Sequence, residues 1–190
     1  MRFDDGSIMR LYRQTVQDFG LYPGLEMSEQ QMEELKNAAS KMSAKMRAVR
    51  IVSASNVSKR DLEQRLIHKG EDPQQAKEAV AWMSDLNLLD DRRTAEQIVH
   101  RCISKGYGLS RAKQALFEKR IPKEYWQEAL EDYPDQTDAI VSFLRSKLGQ
   151  KWEDKDLRRA TDALIRRGHS YSEIRRGLQM LSVDEDFLED

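Results

Sequence analysis

Arginine dominates the chemistry this chain offers. Three dibasic pairs, Arg158/Arg159, Arg166/Arg167 and Arg175/Arg176, cluster toward the carboxyl end. The first two pairs are eight residues apart, so on a helix Arg158 aligns with Arg166 and Arg159 with Arg167. Arg92, Arg93 and Arg101 nearly repeat the pattern upstream, joined by Lys105, Arg111, Lys113, Lys119 and Arg120. A guanidinium is a planar fork of donors that fits phosphate and carboxylate alike. These side chains are therefore candidates for contact with a nucleic-acid backbone or with an acidic protein face; the bland alternative is a solvated helical surface. Their distribution is uneven. Residues 92–123 hold nine basic and two acidic groups, residues 124–138 six acids and no base, residues 139–181 ten bases and five acids, and 182–190 five acids. The first 91 residues are net −2, so binding is expected to depend mainly on the two carboxyl-terminal repeats, which hold the cationic zones. The overall net charge of −1 conceals these blocks.

Catalytic chemistry is much harder to assemble. Asp90-Asp91 enters a helix, where carboxylates cap free N–H groups and complement the dipole, which reads as capping rather than a metal pair. Gly106-Tyr107-Gly108 is too short to cradle a phosphate and reads as a helix stop. Cys102, the single cysteine, falls on an apolar stripe with no histidine at ligand or base spacing; His100 is only two residues away. His169 follows a helix-ending glycine and reads as a turn residue, and Trp126 as structural. Tyr107 and Tyr171 sit in turns, where stacking on a base is an option. No catalytic residue, metal site or cofactor is expected, and the chain reads as a non-enzyme. One cysteine excludes an internal disulfide framework. No apolar run approaches a membrane span and no signal-peptide pattern opens the chain, so a soluble, cytoplasmic protein without membrane contact, and a monomer, is expected.

With 39% hydrophobic and 34% charged residues, the chain has less core and more surface than an average domain, which favours a modular, elongated shape. Periodicity supplies the modules. Asp5-Gly6 and Tyr22-Pro23-Gly24 read as turns bracketing a short β-like segment over residues 1–24. After it, Ser28 with Gln31 forms an S-x-x-Q cap, followed by Met32, Leu35, Ala39, Met42, Met46 and Val49 at heptad spacing, which predicts one long amphipathic helix. Short helices follow, opened by Ser58-x-x-Asp61, Asp72-Pro73, Asp90-Asp91, Ile121-Pro122 and Ser170-x-x-Glu173. Leu66, Leu116 and Leu164 then anchor an internal repeat. Each is followed three positions on by Lys69, Lys119 or Arg167, and next by Gly70, Arg120 or Gly168. Apolar positions recur at Ala76, Trp126 and Ile174, at Val80, Leu130 and Leu178, and at Met83, Tyr133 and Leu181. A longer helix precedes each pair, at residues 28–50, 92–104 and about 136–148. The reading is an all-α chain of three tandem three-helix repeats, at residues 25–89, 90–134 and 135–182, forming an elongated array and ending in an acidic tail at 183–190. The three anchor leucines are expected in the core.

The same residues carry a family resemblance. Ser104-Lys105-Gly106-Tyr107-Gly108, with Arg111, Leu116 and the Lys119-Arg120-Ile121 step, resembles the central signature of the RecX family. Leu88-Leu89-Asp90-Asp91-Arg92 with Ala95 is similar to its Leu-Asp-Asp helix start, the stretch from Val57 to Gly70 to its first repeat, and Leu164-x-Arg166-Arg167-Gly168 to its last. Two positions depart: Ser55 stands where the family commonly has Arg, and Arg120 where a turn glycine is usual, so that helix must end with negative φ or absorb strain. The resemblance implies a regulator that binds the RecA recombinase and its filament on single-stranded DNA, limits its ATPase and strand exchange in recombination and repair, and in some members binds single- or double-stranded DNA directly. A nonspecific DNA-binding repeat protein and a helical protein-interaction scaffold are the alternatives.

Overall fold

The computed structural model describes residues 1–148 and 152–186, with side chains through Leu181. Ten α-helices make up the described residues: α1 Arg13–Asp18, α2 Glu29–Ala54, α3 Lys59–His68, α4 Pro73–Asp85, α5 Asp91–Ser104, α6 Leu109–Glu118, α7 Trp126–Leu130, α8 Thr137–Lys147, α9 Asp154–Arg166 and α10 Tyr171–Asp186. The fold is all-α, and no described helix is long and apolar enough to cross a membrane.

Local chemistry sets the helix starts. Ser28 and Gln31 form a reciprocal capping box, Ser58 Oγ accepts from the Asp61 N–H at 3.0 Å, and Asp72 Oδ1 accepts from Gln74 and Gln75 ahead of Pro73. Ser170 and Glu173 cap α10 reciprocally. Near the amino terminus the expected β-like segment shrinks to one antiparallel bridge, Arg2 to Ile8, across the Asp5-Gly6 turn. Met1–Phe3 is too short to partner a strand, and residues 13–18 coil into α1 instead, braced by Gln14 donating to Asp18 at 2.8 Å. This helix is one more than the nine expected. Of the acidic tail, residues through Asp186 continue α10, and 187–190 lie outside the described residues.

The chain divides into two compact units, residues 1–90 and 91–190. In the first, α2, α3 and α4 share one core built from Ala44, Ala48, Ile51, Leu62, Leu66, Ala76, Ala79 and Met83. The buried seam of α2 is Leu35, Ala44, Ala48 and Ile51, whereas Met32, Met42 and Met46 are only half-buried. Small alanines let α4 close on α2, and the methionines flank that contact.

The second unit holds two clusters. Ala95, Val99, Leu116 and Ile121 form one, backed by half-buried Trp126, Leu130 and Tyr133. Its third helix is short: Lys123–Tyr125 make a 3₁₀ turn before α7, and Trp126 Nε1 donates to the Ile121 carbonyl at 3.0 Å. Ile140, Leu144, Leu148, Ala160, Leu164, Ile174 and Leu181 form the other. There α8 and α10 approach so closely that a Cβ on Gly177 would lie 2.6 Å from Ile140 Cγ2. Leu66, Leu116 and Leu164 are all fully buried, as the repeat requires. Gly70 and Gly168 end their helices at φ +86° and +88°, and Arg120 takes φ +55° at the corresponding place, so the strained alternative is the one adopted.

Candidate functional site

The fourteen candidate cations divide by what they touch. Arg101, Lys113, Arg158, Arg166 and Arg175 are exposed and have no acidic partner among the described residues. Arg92 is held by Glu128 and lies 3.7 Å from Glu96, Arg111 pairs with Glu118 at 3.0 Å, and Arg176 pairs with Asp135 at 2.7 Å. Arg159 lies 3.9 Å from Asp156 on an exposed turn, a contact of little energetic weight. Arg93, Lys119 and Arg120 each have a polar or charged contact of their own. Arg158 and Arg166 both emerge exposed from α9, whereas Arg159 is exposed and Arg167 is half-buried with its guanidinium 4.6 Å from the Phe143 ring.

Arg167 belongs to a joint between the second and third repeats. Its carbonyl accepts from the Gly108 N–H at 3.0 Å, and its guanidinium lies 5.8 Å from the Tyr107 ring, which Lys105 also faces at 5.9 Å. Tyr133 donates its hydroxyl to the Tyr107 carbonyl at 2.7 Å, and His169 Nε2 lies 3.0 Å from the Gly106 carbonyl. The two loops touch backbone to backbone. A Cβ on Gly108 would come within 2.1 Å of the Gly168 carbonyl oxygen, and one on Gly168 within 2.3 Å of the Arg111 nitrogen. Gly108 has an ordinary φ of −76°, so contact rather than conformation demands glycine there. The joint thereby brings Arg167, sixty residues along the chain, to the Tyr107 ring that Lys105 also faces.

In the sequence Gly106-Tyr107-Gly108 reads as a helix stop and His169 as a turn residue, and the structure brings them together in a shared joint. The available signal was an excess glycine: Gly106 already ends α5 at φ +62°, leaving Gly108 without a conformational reason.

Electrostatics at the joint follow burial. His169 is buried, and burial holds its imidazole below the ordinary value; Arg167 adds to this while the Gly106 carbonyl and Glu173 oppose it. Because a carbonyl only accepts, Nε2 carries the proton and the buried Nδ1 is bare, with no hydrogen-bond partner. Burial also pushes the Tyr133 phenol up to about 12 and raises the Cys102 thiol, so neither is a reactive anion at neutral pH. Among the described residues no cluster of His, Cys, Asp or Glu is arranged to hold a metal. Beside the joint, a groove of about 700 Å³ runs along α10, where Tyr171 is 73% exposed and Arg175 lies one turn on.

This arrangement defines a class: a helical repeat protein with cations exposed on its outer faces. Residues 90–130 match the family profile described as "RecX, second three-helix domain". The chain is 28% identical over 154 residues to "Regulatory protein RecX" of Vibrio parahaemolyticus serotype O3:K6, covering 80% of this chain and 98% of that one. It is 24% identical to the protein of the same name from Streptococcus sanguinis strain SK36, covering 98% of this chain and 74% of that one. A crystal structure of regulatory protein RecX superposes with a TM-score of 0.65 at 18% identity, covering 95% of this chain and 90% of that one. The structure of RecX from Lactobacillus salivarius gives 0.64 at 20% identity, covering 77% and 99%. Residues 90–130 thus match the RecX second-domain profile, and the chain is similar to RecX proteins over most of its length.

Proposed function

We propose that this protein binds the RecA recombinase filament on single-stranded DNA and lowers its ATPase and strand-exchange activity, acting in the cytoplasm as a regulator without hydrolytic chemistry of its own. The observation that carries this reading, beside the similarity to RecX proteins, is the set of outward cations lacking an internal partner: Arg101, Lys113, Arg158, Arg166 and Arg175. Their charge is not consumed by the fold, so it is available to a polyanionic filament. Titrating the protein into a RecA–single-stranded-DNA ATPase assay tests it. Substoichiometric protein is expected to slow ATP hydrolysis, with none by the protein alone. Unchanged ATPase, filament length and strand exchange at saturation overturn the reading. A second reading, direct binding of single-stranded DNA, is favoured by exposed Tyr171 beside Arg175, an aromatic face next to a phosphate-sized charge.

A further inference from the structure

The first unit carries a cationic pocket that its net charge hides. Near the end of α2, Arg47 and Arg50 face Arg65 and Lys69 of the α3 segment across a cavity of about 330 Å³, with Ala54 and Ser55 beside them. The lining includes no acidic residue. On α2, Arg47, Arg50 and Ala54 follow i, i+3 and i+7, with Ser55 as its C-cap, and Arg65 lies on α3 four residues before its C-cap Lys69, so both helix ends aim one face at the same space.

The four cations are not equivalent. Arg47 is anchored at 2.5 Å by Glu71, a buried carboxylate that also accepts from Ser43 Oγ at 3.0 Å. Arg65 is anchored by buried Asp61 at 2.9 Å. Those pairs fix two guanidiniums in place and neutralise their charge. Arg50 and Lys69 are exposed and have no acidic partner among the described residues, which leaves a local excess of two positive charges. Donors converge from two helices and the connecting turn, with small residues leaving the space open. A carboxylate is satisfied by one planar fork, whereas a tetrahedral phosphate takes donors from several directions.

We infer that this pocket is a phosphate-binding site, filled by a phosphodiester of a nucleic-acid backbone. The helix C-termini beside it present carbonyl oxygens that oppose an anion. The pocket is also open to solvent, so one free phosphate gains little. A polymer that engages other cations at the same time overcomes this through effective concentration. The site is independent of whether the protein regulates RecA.

The test uses the full chain with two probes, inorganic pyrophosphate by calorimetry and a single-stranded oligonucleotide by fluorescence anisotropy over a range of salt. Arg50→Gln with Lys69→Gln removes the two unmatched charges without touching a buried contact; Arg60→Gln with Lys77→Gln is the equal-charge control, and circular dichroism confirms folding of each. The expected result is about tenfold weaker oligonucleotide binding for the pocket variant, with the salt slope reduced by roughly 0.7 per lost contact, and a near-normal control. A loss confined to pyrophosphate overturns the phosphodiester assignment and makes the ligand a free phosphoanion. The inference is overturned if the wild type binds neither probe, if the pocket variant binds both as the wild type does, or if the control loses as much. The ATPase titration reads the regulator function separately.

Discussion

His169 turns burial into a pH response. Its imidazole is neutral in the folded joint and held below the ordinary value, while in the unfolded chain it titrates near 6.5. Above that pH neither state binds the proton and the residue contributes no pH dependence. As pH falls below it the unfolded chain takes up a proton the fold refuses, so stability declines until the folded value is reached. The melting temperature of the protein is therefore expected to fall between neutral pH and about pH 5, and His169→Gln to flatten that part of the profile. A profile unaltered by the substitution would remove His169 from the account. Arg120 makes a second case. An L side chain at φ +55° is strained, and glycine is not. Arg120→Gly is expected to raise stability by up to about 1 kcal/mol in urea unfolding, the loss of its exposed side-chain contact being smaller. This strain was legible in the sequence as a missing glycine; the sign of φ was not, because only the packed turn decides it.

Among elements, the caps were the most readable feature, since Ser28, Ser58, Asp72 and Ser170 act on N–H groups two or three residues away. The repeat was readable for a related reason: Leu66, Leu116 and Leu164 recur at a near-constant period and each sits inside its own small core. Leu116→Ala is expected to cost about 2–5 kcal/mol by chemical denaturation, because its cluster already leans on half-buried aromatics that cannot easily collapse into the hole. The facing of α2 was misjudged by pattern. Heptad spacing pointed to the methionines, whereas helix approach is decided by side-chain size, and Ala44 and Ala48 win the inner face. Candidate sites were legible as charge and not as geometry. Which arginines are neutralised depends on carboxylates far along the chain: Glu128 for Arg92, Asp135 for Arg176 and Glu71 for Arg47.

For the whole molecule, charge reversal tests whether the cations of the second unit meet a polyanion at all, and which one. Reversing Arg158, Arg159, Arg166 and Arg167 to Glu is expected to weaken binding to bare DNA or to the RecA filament. If phosphate is the counterpart, the slope of log affinity against log salt falls by about 0.7–0.9 per contact removed. If a shaped acidic face is the counterpart, filament binding falls and bare-DNA affinity holds. Arg167 complicates a simple charge count, since it also lies against Phe143 at the joint, so circular dichroism and a melt must accompany the assay. The joint itself sets how this unit comes apart. Gly108 and Gly168 touch through backbone, and the Gly108 amide ends on the Arg167 carbonyl, so loosening the third repeat strips a partner from the second. The second and third repeats are therefore expected to melt in one transition, and two separate transitions in a thermal scan would count against that coupling. A repeat deleted or duplicated at that boundary would leave Gly108 and Gly168 without the backbone each now faces.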